Sequence, residues 1–94
     1  MDDSVTSCIG MLEELLDEQV SGDVFSPNGF KNNAVCLDCD GQEYSVYNVD
    51  EGIIRFRSVF DNVVDACYEV YNRLRFCFDD DESLDLEKFR PSAG

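Results

Sequence analysis

The groups in this chain with most capacity for chemistry are five cysteines and a large surplus of carboxylates, because it contains no histidine. Cys36 and Cys39 stand three residues apart, the spacing of half a zinc site. The other half would need a second close pair or a histidine, and Cys8, Cys67 and Cys77 supply neither. On a strand, residues three apart point to opposite sides. Cys67 and Cys77 lie ten apart, a spacing that does not share a helical face. No helix N-terminus follows Cys36 or Cys39 to lower a thiol pKa, which disfavours a redox pair. Cys8, Cys39 and Cys67 therefore read as small core residues. An odd cysteine count, irregular spacing and the acidic start Met1-Asp2-Asp3 point to reduced thiols and a cytoplasmic location.

The chain carries 21 acids against 7 bases, a net charge of −14. Without histidine, a glycine-rich phosphate loop or a nucleophile elbow, the carboxylates assemble into no catalytic set. Asp38, Asp40 and Glu43 lack the ligand spacing of a calcium loop. No catalytic, cofactor-binding or metal-ligating residue is expected, and no cofactor. Charge of this sign repels nucleic acid and anionic membranes, and no apolar run approaches the length of a membrane span. The expected partner is a basic protein surface, such as that of a nucleic-acid-binding effector or nuclease. Acidity can also serve solubility alone. The sequence does not state whether the chain is a monomer or a dimer.

The elements that must position these acids follow from periodicity. A helix is expected at about 4–20, capped by Asp3 or Ser4, with Val5, Ile9, Leu12, Leu15, Leu16 and Val20 as its apolar stripe. Gly22 is a plausible stop. Ser26-Pro27-Asn28-Gly29 is a turn signal, with Phe25 and Phe30 pinning the loop to the core. A hairpin is expected at about 33–48 around Asp40-Gly41, a preferred pair for a type I′ turn. That turn sets Leu37 opposite Tyr44 and Asp38 opposite Glu43. The core face then holds Val35, Leu37, Cys39, Tyr44 and Val46, and the polar face Cys36, Asp38, Glu43, Ser45 and Tyr47. Residues 53–57 alternate and read better as a third strand than as the start of a helix. A second helix at about 59–75, begun by Ser58 and Asp61, carries Phe60, Val63, Val64, Cys67, Val70, Tyr71 and Leu74. Ser83 can cap a short final helix, and 91–94 reads as a frayed tail. The whole is one domain, 1–94, of the α+β class: a small antiparallel sheet of two or three strands against two amphipathic helices.

The placement of the acids conflicts with stability. Glu13 with Asp17, and Glu14 with Glu18, are like-charged pairs four apart on a helix, each costing about 0.2–0.5 kcal/mol. Residues 1–51 hold twelve acids and one base, residues 52–78 three acids and four bases, and residues 79–94 six acids and two bases. The middle segment reads as scaffold and the rest as acidic surface. The candidate partner-binding residues are Glu13, Glu14, Asp17, Glu18, Asp38, Asp40, Glu43, Asp50 and Glu51, with Tyr47 as an aromatic anchor among them. The Asp79–Glu82 run is a secondary candidate.

In size, acidity and helix–hairpin–helix order, these residues resemble small phage-encoded inhibitors of bacterial defence, the anti-CRISPR and anti-restriction proteins that mimic DNA. The likeness covers most of the chain and rests on composition and element order. It implies a non-enzymatic inhibitor whose carboxylate rows occupy a groove built for phosphates. Two alternatives share the physics: an immunity or antitoxin protein that neutralises a nuclease toxin, and an acidic adaptor or secretion chaperone.

Overall fold

The computed structural model describes residues 3–20, 24–78 and 83–90. Helix α1 (Asp3–Gln19) precedes strands β1 (Phe25–Ser26), β2 (Ala34–Asp40), β3 (Glu43–Asp50) and β4 (Ile53–Phe60), and helix α2 (Val63–Leu74) follows. Single 3-10 turns come after it, at Arg75–Cys77 and Glu87–Phe89. The strands form one sheet in the order β1-β2-β3-β4. The pair β1–β2 is parallel and the other two are antiparallel. The class is α+β, as expected, with a mixed sheet of four strands instead of an antiparallel one of two or three. Gly22, the Asp79–Glu82 run and the 91–94 tail lie outside the described residues, as do the side chains of Asp3 and Ser4.

Both helices pack on one face of the sheet because both carry an apolar stripe at helical spacing. Cys8, Leu12 and Leu16 of α1 and Val64, Cys67 and Val70 of α2 bury against Val35, Leu37 and Val46. Each fully buried leucine contributes about 1.5–3 kcal/mol of transfer free energy. The Cys8 and Cys67 thiols meet between the helices, and their hydrogen bond together with burial pushes the Cys67 thiol up. Leu86 enters the same core from the C-terminal segment, where its N–H donates to Tyr68 Oη at 2.7 Å.

The hairpin forms with its turn one residue later than expected. Its central residues are Gly41 and Gln42, and only Gly41 has a positive φ, +65°. That is the type II′ arrangement, which needs one left-handed residue and spares Asp40 that conformation. Leu37 therefore faces Val46, Asp38 faces Ser45, and Asp40 faces Glu43. The expected faces survive, because moving the turn by one residue changes each pairing by two. Cys39 shares the core face but lies beyond the helices and is exposed, contrary to its expected core role. Cys36, on the other face, is fully buried. Its Sγ accepts from the Lys31 N–H at 3.2 Å and donates to the Lys31 carbonyl at 3.4 Å, because the 27–33 segment folds over it. Asn32 and Asn33 extend that segment to the β3–β4 turn, their Oδ1 atoms accepting from the Gly52 and Glu51 N–H groups.

Three further expectations need correction. Ser58 does not start a helix, because β4 continues to Phe60 and α2 begins at Val63. Asn62 is the cap: its Oδ1 accepts from the Asp65 N–H, a helix donor that Ser58 could not reach, and its Nδ2 donates to Asp65 Oδ2, both at 2.9 Å. The final helix is a 3-10 turn of three residues at Glu87–Phe89, where Asp85 Oδ1, in place of Ser83, accepts from the first N–H, that of Glu87, at 3.1 Å. Phe30 is exposed, while Phe25 packs on the core.

Strand β4 carries a β-bulge. Val46 pairs with Ser58 and Asn48 with Arg55, so Tyr47 alone faces both Phe56 and Arg57. Phe56 takes a φ of +56°, a left-handed conformation that is an outlier for a bulky side chain. Arg73 of α2 holds it there. Its Nη2 donates to the Phe56 carbonyl at 2.6 Å and to Ser58 Oγ at 3.3 Å. Its Nη1 donates to Asn48 Oδ1 at 2.8 Å and its Nε to Glu69 Oε2 at 2.7 Å. Arg73→Lys keeps the charge but loses the planar fork, and should lower unfolding free energy by about 2 kcal/mol in urea denaturation. Phe56→Gly should instead raise it, by up to about 1 kcal/mol, since the left-handed backbone then costs nothing and an exposed ring buries little.

Candidate functional site

The last two turns of α1 give the densest group of candidate residues. The buried stripe of Cys8, Leu12 and Leu16 turns Glu13, Glu14, Asp17 and Glu18 outward, and all four are exposed. Carboxylates on successive turns have Cβ atoms about 5–6 Å apart. Asp17 and Glu18 also sit in the last turn, at the negative end of the helix dipole, and no base is there to offset them. Glu13 borders a shallow cleft of about 260 Å³ between α1 and the Pro27-Asn28 turn.

The hairpin end forms a second acidic site. Asp38, Asp40 and Glu43 are exposed on the sheet face opposite the helices. Asp40 and Glu43 stand directly across the ladder, an unfavourable like-charge pair where the sequence had suggested Asp38 and Glu43. Asp61 and Glu43 line one depression at this end of the sheet.

Asp50 and Glu51 form a third site, at the far end of β3. Seven residue steps along a strand separate Glu43 from Asp50, about 23 Å. Glu51 and Gly52 both have positive φ, +51° and +81°, giving a type I′ turn that exposes the Glu51 side chain. The structure thus does not gather the candidate acids into one surface. It places four on the helical layer and splits five between the two ends of the sheet.

Tyr47 is not available as an anchor. It is 5% exposed on the outer sheet face, where it packs with Ala34, Cys36 and Val49. Burial pushes its phenol pKa up, with the nearby Cys36 and Asp38 adding to the rise and Arg57 opposing it. Arg57 Nη2 donates to Ser45 Oγ at 3.1 Å on that face. Alternation alone marked this face as polar, whereas Ala34, Cys36 and Val49 cluster around the ring and the 27–33 segment folds over Cys36.

The nine candidate acids form no ion pair with a base among the described residues. Ion pairs form instead in the C-terminal half: Arg73 with Glu69, and Arg90 with Asp65 and Glu87. The hydrogen bond from Asn62, then that from Arg90, holds the Asp65 carboxyl below the usual range. Among the described residues no three of His, Cys, Asp or Glu group as metal ligands, and no helix is long and apolar enough to cross a membrane. No protein-family model matches the chain, and no curated protein or solved structure does either.

Sequence reasoning missed Phe56 and Phe76, which are 74% and 82% exposed. Both border a groove of about 480 Å³ between β4 and the end of α2. Alternation made Phe56 look like an ordinary strand residue. No glycine marked the left-handed position.

The acidic end of α1 is costly to the isolated fold. Glu18→Lys removes the repulsion with Glu14, adds an attraction at the same spacing and suits the helix dipole. It should raise unfolding free energy by about 1 kcal/mol in thermal or urea denaturation.

Proposed function

We propose that this chain is a non-enzymatic inhibitor that sets the acidic end of α1 against a basic, nucleic-acid-binding surface of a partner protein. The observation that carries this reading is the unneutralised row Glu13, Glu14, Asp17 and Glu18, exposed on a helix that is less stable for holding it. Sites that trade stability for an unpaired charge are expected where binding supplies the compensation. The two hairpin ends support a narrower version of the reading than one continuous DNA-like surface. They would contact the partner singly or steer it from a distance. An immunity protein against a nuclease toxin would use the same row and differ only in its partner. The adaptor reading draws on another feature, the exposed apolar strand β4.

Capture from nuclease-treated bacterial lysate, followed by competition with DNA, tests the proposal. The expected result is recovery of a nucleic-acid enzyme whose DNA binding is lost. Its affinity should fall as salt rises, because the attraction is between exposed charges. Reversing Glu13, Glu14, Asp17 and Glu18 to lysine should weaken binding about tenfold or more while the fold persists. Affinity unchanged by salt and by those reversals would sink the proposal.

A further inference from the structure

Strand β4 closes one side of the sheet and, among the described residues, no strand pairs beyond it. An edge strand of eight residues is a template for another strand unless it is blunted. This one exposes Ile53, Ile54, Phe56 and Val59, each at half or more of its surface. It belongs to the one segment of the chain, 52–78, in which bases outnumber acids. Helix α1 packs mainly on α2 and the last turn, with no comparable contact to β4. Its acids therefore lie away from this edge.

The bulge makes the edge complementary to itself. Ile54 pairs with Val49 and Val59 with Ser45, so both side chains lie on the outer face. Positions 45 and 49 have the same parity on β3, so Ile54 and Val59 also present their backbone groups in the same direction. The two-residue turn Glu51-Gly52 makes Asp50 and Ile53 a hydrogen-bonded pair, which leaves Ile54 and Val59 pointing their N–H and C=O groups to the free edge. Without the extra residue at Phe56 and Arg57 they would point in opposite directions. We propose that two copies of this chain pair through β4, antiparallel and two-fold symmetric, with Ile54 of each copy opposite Val59 of the other. In that register every residue of β4 has a partner across the seam, although Arg73 keeps the Phe56 carbonyl. Ile53 faces Phe60, Arg55 faces Ser58, and Phe56 faces Arg57. No two like charges stand directly opposite, and Arg57 is already drawn inward to Ser45. The product is an eight-stranded sheet with an isologous interface.

This pairing does not rest on the acidic-surface reading, and salt separates the two. Two chains of net charge −14 repel at long range, so screening should favour association through an apolar strand. Partner binding through α1 should weaken under the same change. Analytical ultracentrifugation across a concentration series, at about 0.1 M and about 1 M salt, should show a monomer–dimer equilibrium that shifts toward dimer in high salt. Ile54→Lys and Val59→Glu should each give a folded monomer, checked by far-UV circular dichroism. An equimolar mixture of the two variants should recover the dimer, because the introduced lysine then lies opposite the introduced glutamate. Amide exchange at Ile54 and Val59 should slow only where the dimer is populated. A wild type that stays monomeric throughout would overturn the proposal and leave β4 to a strand from another protein. A dimer that both substitutions leave intact, or a mixture that stays monomeric, would overturn it equally.

Discussion

The guanidinium of Arg73 holds together parts of the fold that hydrophobic packing alone would not align. Packing of α2 on the sheet fixes which face is buried, but apolar burial is non-directional and aims no backbone group. The four hydrogen bonds from Arg73 reach α2, β3 and β4 together, and one of them ends on the carbonyl of Phe56. A planar fork can serve several acceptors in fixed directions, and an ammonium cannot. The bulge, its left-handed phenylalanine and the outward direction of both Ile54 and Val59 depend on that anchor. A chain with seven bases thus places one of them, largely buried, at the junction of its last strand and helix.

The use of bases inside the scaffold explains the charge of the rest. Arg73, Arg90 and Arg57 bind Glu69, Asp65, Glu87 and Ser45, all within residues 45–90. Lys31, the single base of residues 1–51, lies in the loop that covers Cys36. The acids of α1, of the hairpin end and of the β3–β4 turn are left to solvent or to a partner. Their separation on three parts of the surface matters physically. The two ends of the sheet, about 23 Å apart, lie more than two Debye lengths from one another at physiological salt, so their charges act separately.

Much of the fold was legible in the sequence wherever a period of 3.6 or 2 was sustained. The stripes of α1 and α2, the two hairpin faces and the strand character of 53–57 follow from apolar spacing. The exposure of the α1 acids was legible for the same reason: once Leu12 and Leu16 face inward, Glu13, Glu14, Asp17 and Glu18 have only the outside. Legibility failed where two local signals competed. Asp40-Gly41 and Gly41-Gln42 are both acceptable turns, and cross-strand packing chose the second. Ser58 with Asp61 and Asn62 with Asp65 are both acceptable caps, and pairing of Val59 and Phe60 with Ser45 and Tyr44 removed the first.

By itself, the sequence determined the class, the helices, the alternation of the hairpin and the excess of uncompensated carboxylates on α1. These depend on residues near one another in the chain, whose side-chain directions are set by helix and strand geometry. The tertiary structure alone decided that Tyr47 and Cys36 are buried, that Cys39 is exposed, and that the acids divide among three sites. It also decided that β4 ends the sheet with an exposed apolar edge. Each of these depends on whether a distant segment covers a given face, and local periodicity carries no information about what lies across it.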